Sequence, residues 1–370
     1  MVTFMYGIDF ARLERRYGEY WNRENHDTPL LSVYVSAPLA EPDMPKTPEN
    51  IRERWLDVEA AVARARRHAE NTYFGGDAYP MYNPNLGPDI LGAICGCGIE
   101  FGEDTSWAVN CVEDWAAHPP IAFDENNFWF KKILEMTEAA CAGSRGDYLV
   151  GVTDLHSGMD GLVSLRGPEN LCLDIKDSPE LVPPRLAEMH AVYMEVYSRL
   201  EAAILKAQRG TSCWMGVWHP SKRWYVTSDD FAALISHEDF ERFVVPHVEA
   251  ELDYLDASIF HLDGPDALRH LDRLLAMPKL CGIQWVYGAG QPTARHWPEV
   301  LKKIQAAGKL IVIPVAPEDV APLCELLEPE GVHMNCSVPT RGDADALVAL
   351  AASIYKGKRN KKCFIANGGE

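Results

Sequence analysis

Positive charge is what this 370-residue chain is short of: 35 Lys and Arg stand against 54 Asp and Glu, for a formal net charge of −19. A surface so negative repels phosphate backbones and the anionic leaflet of a membrane, so nucleic acid is not expected as a partner. No run of about 18 apolar residues occurs, and no segment reads as membrane-spanning. The opening Met1-Val2-Thr3-Phe4-Met5-Tyr6-Gly7 lacks a basic stretch followed by an apolar core, and a cytoplasmic protein is the expectation. No Gly-x-Gly-x-x-Gly follows the first strand-like run and no Gly-x-x-x-x-Gly-Lys-Ser/Thr is present, which removes the usual dinucleotide and nucleotide signals. Internal repeats and low-complexity tracts are absent as well.

The ten cysteines are scattered, and Cys111, Cys141, Cys213, Cys281 and Cys324 sit in apolar stretches where a reduced thiol behaves as a small hydrophobe. No disulfide is expected. Cys95-Gly-Cys97 has a spacing that can bind metal, but no second Cys or His pair stands near it.

Hydrophobic residues make up 47% of the chain and charged residues 24%, ordinary globular proportions. Asp9 to Asn25 carries Phe10, Leu13, Tyr17, Tyr20 and Trp21 at the spacing of an amphipathic helix, ending before Asp27-Thr28-Pro29. Leu30 to Ser36 reads as a buried strand and Pro45 to Asn71 as a long helix. The stretch from Gly75 to Pro119 is dense in turn formers and reads as a strand with a long structured excursion. From Leu149 onward short apolar runs at 149–153, 213–218, 257–261, 281–286, 309–314 and 331–336 alternate with helical segments. Ser228-Asp229-Asp230 opens one such helix and Gly308 closes another. With the runs at 31–35 and 77–82 the count is eight. Alternation of this kind implies parallel strands with right-handed crossovers, and eight units favour an α/β protein built as one (β/α)8 TIM barrel over residues 1–370, with residues 1–28 as an N-terminal helical extension.

The active site of such a barrel lies at the C-terminal ends of the strands, so the polar residues closing each run are the candidates. The runs end in Thr153-Asp154-Leu155-His156, Trp218-His219-Pro220, His261-Leu262-Asp263-Gly264, Gln284-Trp285-Val286-Tyr287 and Asn335-Cys336. His261 and Asp263, two apart on a strand, share a face and can reach one metal. Cys336 closes the last run, across the barrel mouth, and with the other two completes a donor set suited to Zn²⁺. The plainer alternatives are that His261 donates to a carbonyl, that Asp263 caps the helix at Pro265, and that Cys336 is core filler. His333, three positions earlier, is expected on the opposite face from Cys336. Trp218, Trp224, Tyr225, Trp285 and Tyr287 either line an apolar pocket, cage a quaternary ammonium, or seal the barrel top. Asp77, Asn83, Asn85 and Asp89 read as turn formers, with Asp77 able to point inward after Gly75-Gly76.

Several segments resemble the uroporphyrinogen decarboxylase superfamily, which includes the decarboxylase and a set of cobamide-dependent methyltransferases. The resemblance rests on Arg16-Tyr17-Gly18-Glu19-Tyr20-Trp21 leading to Pro29-Leu30, on Pro84-Asn85-Leu86-Gly87-Pro88, Phe101-Gly102-Glu103-Asp104-Thr105, Leu165-Arg166-Gly167 and Asp239-Phe240-Glu241-Arg242-Phe243, and on Phe260 to Gly264 with Ile283 to Val286. The decarboxylases carry an arginine-rich clamp for the carboxylates of the porphyrinogen, where this chain has Ser36-Ala37-Pro38. The resemblance therefore leans to the methyltransferase branch, whose zinc sits on a His-x-Cys pair and a later Cys. The matching positions here are His261, Asp263 and Cys336, with Asp replacing Cys in the pair.

The resemblance implies a methyltransferase moving a methyl group between a small-molecule donor or acceptor and a corrinoid held by a partner protein, aided by zinc. Trp218, Gln284, Trp285 and Tyr287 are the substrate-binding candidates, and Asp77, His156, His219 and Tyr225 the catalytic ones. The alternatives are a decarboxylase of a small carboxylated substrate, using Asp77, His156 and Tyr225 as proton donors or charge stabilisers, and a non-catalytic small-molecule-binding barrel.

Overall fold

The computed structural model describes residues 9–36 and 48–366, with side chains to residue 361. The chain enters through a helix over Phe10–Asn22, whose first turn is closed by the Asp9 carboxylate accepting from the Arg12 N–H. It stops where Arg23 takes a left-handed conformation, φ 57°. Leu13, Tyr17 and Tyr20 fill its buried face, as the spacing predicts. The long helix expected from Pro45 is two helices, Ile51–Leu56 and Val58–Asn71, broken at Asp57, whose carboxylate caps the second. Residues 45–47 lie outside the described part, as do Ala37 and Pro38 and the first eight residues.

Among the described residues thirteen strands follow in chain order: β1 (Leu30–Ser36), β2 (Thr72–Gly76), β3 (Met81–Tyr82), β4 (Gly98–Phe101), β5 (Ser106–Val109), β6 (Leu149–Val150), β7 (Thr211–Ser212), β8 (Trp218–His219), β9 (Trp224–Ser228), β10 (Ala257–Asp263), β11 (Gly282–Val286), β12 (Leu310–Pro314) and β13 (Val332–Ser337). Seven form one sheet in the order β2-β1-β13-β12-β11-β10-β9. All its pairings are parallel except that between β1 and β2. Helices link the successive strands, which is what parallel pairing demands. Three two-stranded pieces complete the strands: β3 with β6 in parallel, and the antiparallel pairs β4–β5 and β7–β8. A single parallel bridge joins Val152 to Cys213, and the Asp77 N–H donates to the Leu31 carbonyl beside β1.

One expected run differs. The stretch 213–218 is not a strand; Gly216, at φ 73°, turns the chain back so that β8 pairs antiparallel with β7. The parallel neighbour of β10 on the side away from β11 is β9, a segment outside the eight expected runs. The excursion of 75–119 is structured, holding β3, the helix Ile90–Ile94 and the β4–β5 hairpin. Gly87, at φ 97°, lets Ser106 approach close enough to donate to the Leu86 carbonyl; a Cβ there would lie 1.6 Å from the Ser106 hydroxyl oxygen.

The buried apolar side chains form one cluster running from Leu13 to Tyr355. All nine cysteines with described side chains are free thiols, and Cys363 lies beyond them. No helix of the described residues is long and apolar enough to cross a membrane.

The first helix fixes which end of the sheet is open. Tyr20 and Tyr17 set their rings edge-on to His333 at the start of β13, and Trp21 packs on Trp224 at the start of β9. The Tyr20 hydroxyl reaches the Ile311 carbonyl at the start of β12. This helix therefore covers the N-terminal ends of the strands, and the C-terminal ends lie opposite.

Candidate metal centre and its adjoining cavity

Two strands that lie side by side bring the polar residues together. β9 ends at Ser228, and the next residues open a 3-10 turn, Asp230–Leu234, capped by the Asp229 carboxylate accepting from the Ala232 N–H. The cap is what an Asp at this position favours, and it leaves the Asp230 side chain at the strand end. On β10 the alternation of side chains puts His261 and Asp263 on one face, and Gly264, at φ 77°, turns the chain away.

His261 pairs in register with Gln284 of β11, and its Nδ1 lies 2.6 Å from the Gln284 Oε1. Since that oxygen can only accept, Nδ1 carries a proton, and Nε2 is the nitrogen that presents a lone pair in the neutral ring. Nε2 faces Asp230, 4.0 Å from Oδ1, and the Trp214 ring meets the imidazole edge-on at 5.0 Å. Ligand atoms of Asp230, His261 and Asp263 all lie within 4.8 Å of one another. The Asp263 carboxylate accepts no hydrogen bond from the turn Pro265–His270, whose N-cap is Gly264, so the capping alternative is not what the side chain does.

A second group adjoins the first. The helix Gly158–Arg166 carries Asp160 in its first turn, and its two oxygens accept the backbone N–H groups of Asp230 and Phe231 at 2.8 and 2.9 Å. His156 lies between carboxylates, Nε2 2.9 Å from Asp154 and Nδ1 3.5 Å from Asp160. Ligand atoms of His156, Asp160 and Asp230 also fall within 4.8 Å of one another. Burial works against a charge on His156, but Asp154 and Asp160 outweigh it and raise its pKa well above the ordinary value. Burial, and then Asp160, push Asp230 up to about 6. Among the described residues no lysine or arginine pairs with Asp154, Asp160, Asp229, Asp230 or Asp263; four of these have only histidine as an ionic partner and Asp263 has none.

Gln284 also borders a cavity of ≈ 460 Å³ walled by Tyr34, Phe74, Tyr79, Trp214 and Asn335. None of its walls is acidic or basic, apart from His68, whose pKa burial lowers. Trp214 Nε1 and Asn335 Oδ1, both on residues of the wall, are buried without a hydrogen-bond partner.

The remaining expected residues fall elsewhere. Asp77 lies by the start of β1, where its carboxylate takes Arg12, Arg16 and the Leu31 N–H. His219 stacks against Trp21 at the covered end and accepts the N–H groups of Ser221 and Lys222 at Nδ1; burial lowers its pKa to about 4. Trp218, Trp224 and Trp285 are fully buried, and Tyr225 donates its hydroxyl to the Thr153 carbonyl. These aromatics seal the core and form no cage. Tyr287 is half-buried beyond β11, with Asp319 among the groups that raise its pKa after burial. Asp77, His156 and Tyr225 do not meet at one point.

Cys336 belongs to neither ligand group. Its neighbour Asn335 faces the cavity, so alternation along β13 turns Cys336 to the other side. The residue on the inner face is His333, whose Nε2 lies 2.9 Å from the Ser32 hydroxyl oxygen. Buried, and with Glu318 and Asp319 nearby, the Cys336 thiol is pushed up to about 11 and stays protonated. The candidate ligands that the sequence reading does not single out are Asp230 and Asp160. Recognising the strand Trp224–Ser228 marks Asp230 as a strand-end residue rather than only a helix start.

No family model and no curated protein matches the chain. Among solved structures it is similar to a methyltransferase from Methanosarcina mazei, with a TM-score of 0.62 and 14% identity over 93% of this chain and 99% of that one. At that identity the likeness is one of fold: mixed α/β with a mostly parallel central sheet.

Proposed function

We propose that the protein is a metal-dependent methyltransferase that passes a methyl group between a small molecule in the Gln284 cavity and a corrinoid carried by a partner protein. One domain and one closed (β/α)8 barrel belong to the same reading; the Val152–Cys213 bridge and the Asp77–Leu31 hydrogen bond are the contacts that support closure. The observation that carries it is the convergence of Asp230, His261 and Asp263 beside an uncharged cavity, at the strand ends where barrel enzymes place their chemistry. The sequence resemblance to cobamide-dependent methyltransferases and the shared fold with the Methanosarcina mazei methyltransferase support the reaction class.

One imidazole and two carboxylates fit a divalent ion such as zinc, and are harder than the Cys-containing set expected from the resemblance. When bound, the ion supplies Lewis acidity to lower the pKa of an acceptor or polarise a leaving group. The chain's own residues do the rest. Gln284 holds His261 in the tautomer that keeps Nε2 free. The aromatic walls of the cavity exclude water from a bound small molecule.

The test follows methylcob(III)alamin by its visible spectrum in the presence of zinc-loaded protein and a panel of uncharged alcohol, phenol and thiol acceptors. Metal-dependent loss of the methyl group with at least one acceptor is expected. Spectra that remain constant with every acceptor, with metal occupancy verified, overturn the reading.

A further inference from the structure

We propose that this centre holds two divalent cations bridged by the Asp230 carboxylate, the second of them bound by His156 and Asp160. The inference rests on reading Asp230, His261 and Asp263 as metal ligands, and adds a site to it. Its first support is geometric: the two groups of ligand atoms share Asp230 and no other residue. A carboxylate has two oxygens and spans two ions about 3.5–4 Å apart, the separation of two-metal sites.

The second support is the way both imidazoles are held. A histidine that binds metal through one nitrogen almost always gives its other N–H to a carboxylate, a carbonyl or water. His261 Nδ1 is held by the Gln284 amide oxygen at 2.6 Å, and His156 Nε2 by Asp154 at 2.9 Å. The other nitrogens, His261 Nε2 and His156 Nδ1, are the ones that face Asp230 and Asp160, and the Ser228 hydroxyl also stands 3.4 Å from His156 Nδ1. A surface ion pair would need no such orienting partner on both rings. Asp160 is fixed by the N–H groups of Asp230 and Phe231, yet each of its oxygens keeps a lone pair for a metal.

Charge is the third. Asp229 and Asp230 follow β9, Asp263 ends β10, and Asp154 and Asp160 flank the start of the helix Gly158–Arg166, with no lysine or arginine among their partners. A pair of ions with mainly oxygen donors favours an oxygen ligand between them, so the species bound there is an alkoxide, phenoxide or carboxylate rather than a thiolate.

Manganese(II) titrated into metal-free full-length protein reads both questions. Two equivalents are expected by calorimetry, with an exchange-coupled electron paramagnetic resonance signal in the loaded protein. His156→Gln and Asp160→Asn each keep one equivalent with an uncoupled spectrum, and so does Asp263→Asn. Because Asp160 also holds the backbone at Asp230, the His156 variant and the wild-type spectrum carry the test if the Asp160 variant does not fold. One equivalent in the wild type, lost in Asp263→Asn and kept in His156→Gln, overturns the second ion and leaves the first reading standing. Two equivalents without coupling overturn the bridge, and none at all overturns both readings.

Discussion

His261 Nδ1 and Gln284 Oε1, on paired positions of β10 and β11, lie 2.6 Å apart, and this contact decides which nitrogen of His261 is free to bind. Gln284→Leu removes the acceptor while keeping the approximate volume. Partners of this kind are worth about 10–100-fold in metal affinity. Zinc affinity, measured by competition with a chelating dye, is expected to fall by that factor in the variant while the melting temperature changes little. An unchanged affinity would show that Gln284 does not orient the ligand.

Glu251 is buried on the helix Val245–Tyr254, with His247 beside it, and burial raises its pKa from 4.5 to about 7. A raised carboxyl binds its proton more tightly folded than unfolded. Its contribution is complete below pH 4.5 and is lost as the pH rises through about 7. Glu251→Gln keeps the neutral form at every pH. Relative to wild type it is expected to gain on the order of 1–3 kcal/mol at pH 8 and nothing at pH 4.5. Denaturant unfolding at the two pH values checks this, and a stability difference independent of pH contradicts it.

Asp77 bonds Arg16, Arg12 and the Leu31 N–H at the covered end of the sheet. Arg16 is itself buried, so Asp77→Asn leaves its charge with only the partly exposed Glu19 as counter-ion. Breaking a buried pair from one side costs about 3–5 kcal/mol. The variant is expected to lose stability on that scale and to keep its metal affinity, because the site is at the opposite end. A variant of normal stability that no longer transfers methyl groups would instead make Asp77 a reacting residue.

How far the site can be read from the sequence follows from the range of the signals. The parallel sheet is legible because strand and helix alternate locally from Leu149 onward. His261 and Asp263 are legible because period two is a property of the strand itself. Alternation also sets His333 and Cys336 on opposite faces, but it is blind to which face points inward; that depends on neighbours such as Ser32 of β1, which meets His333 only after folding. Asp230 is obscured because its neighbour Asp229 caps a turn, as the sequence suggests, and the capping signal hides the strand-end one. Asp160 joins the group from 70 residues away in the chain, by accepting two backbone N–H groups that no local pattern marks.

Zinc K-edge X-ray absorption on the zinc-loaded protein tests the central assignment most directly. Ligation by Asp230, His261 and Asp263 predicts a first shell of nitrogen and oxygen alone at about 2.0–2.2 Å, with the same spectrum in Cys336→Ala. A sulfur shell at about 2.3 Å that vanishes in Cys336→Ala would return the thiol to the metal and contradict the arrangement described for β10 and β13.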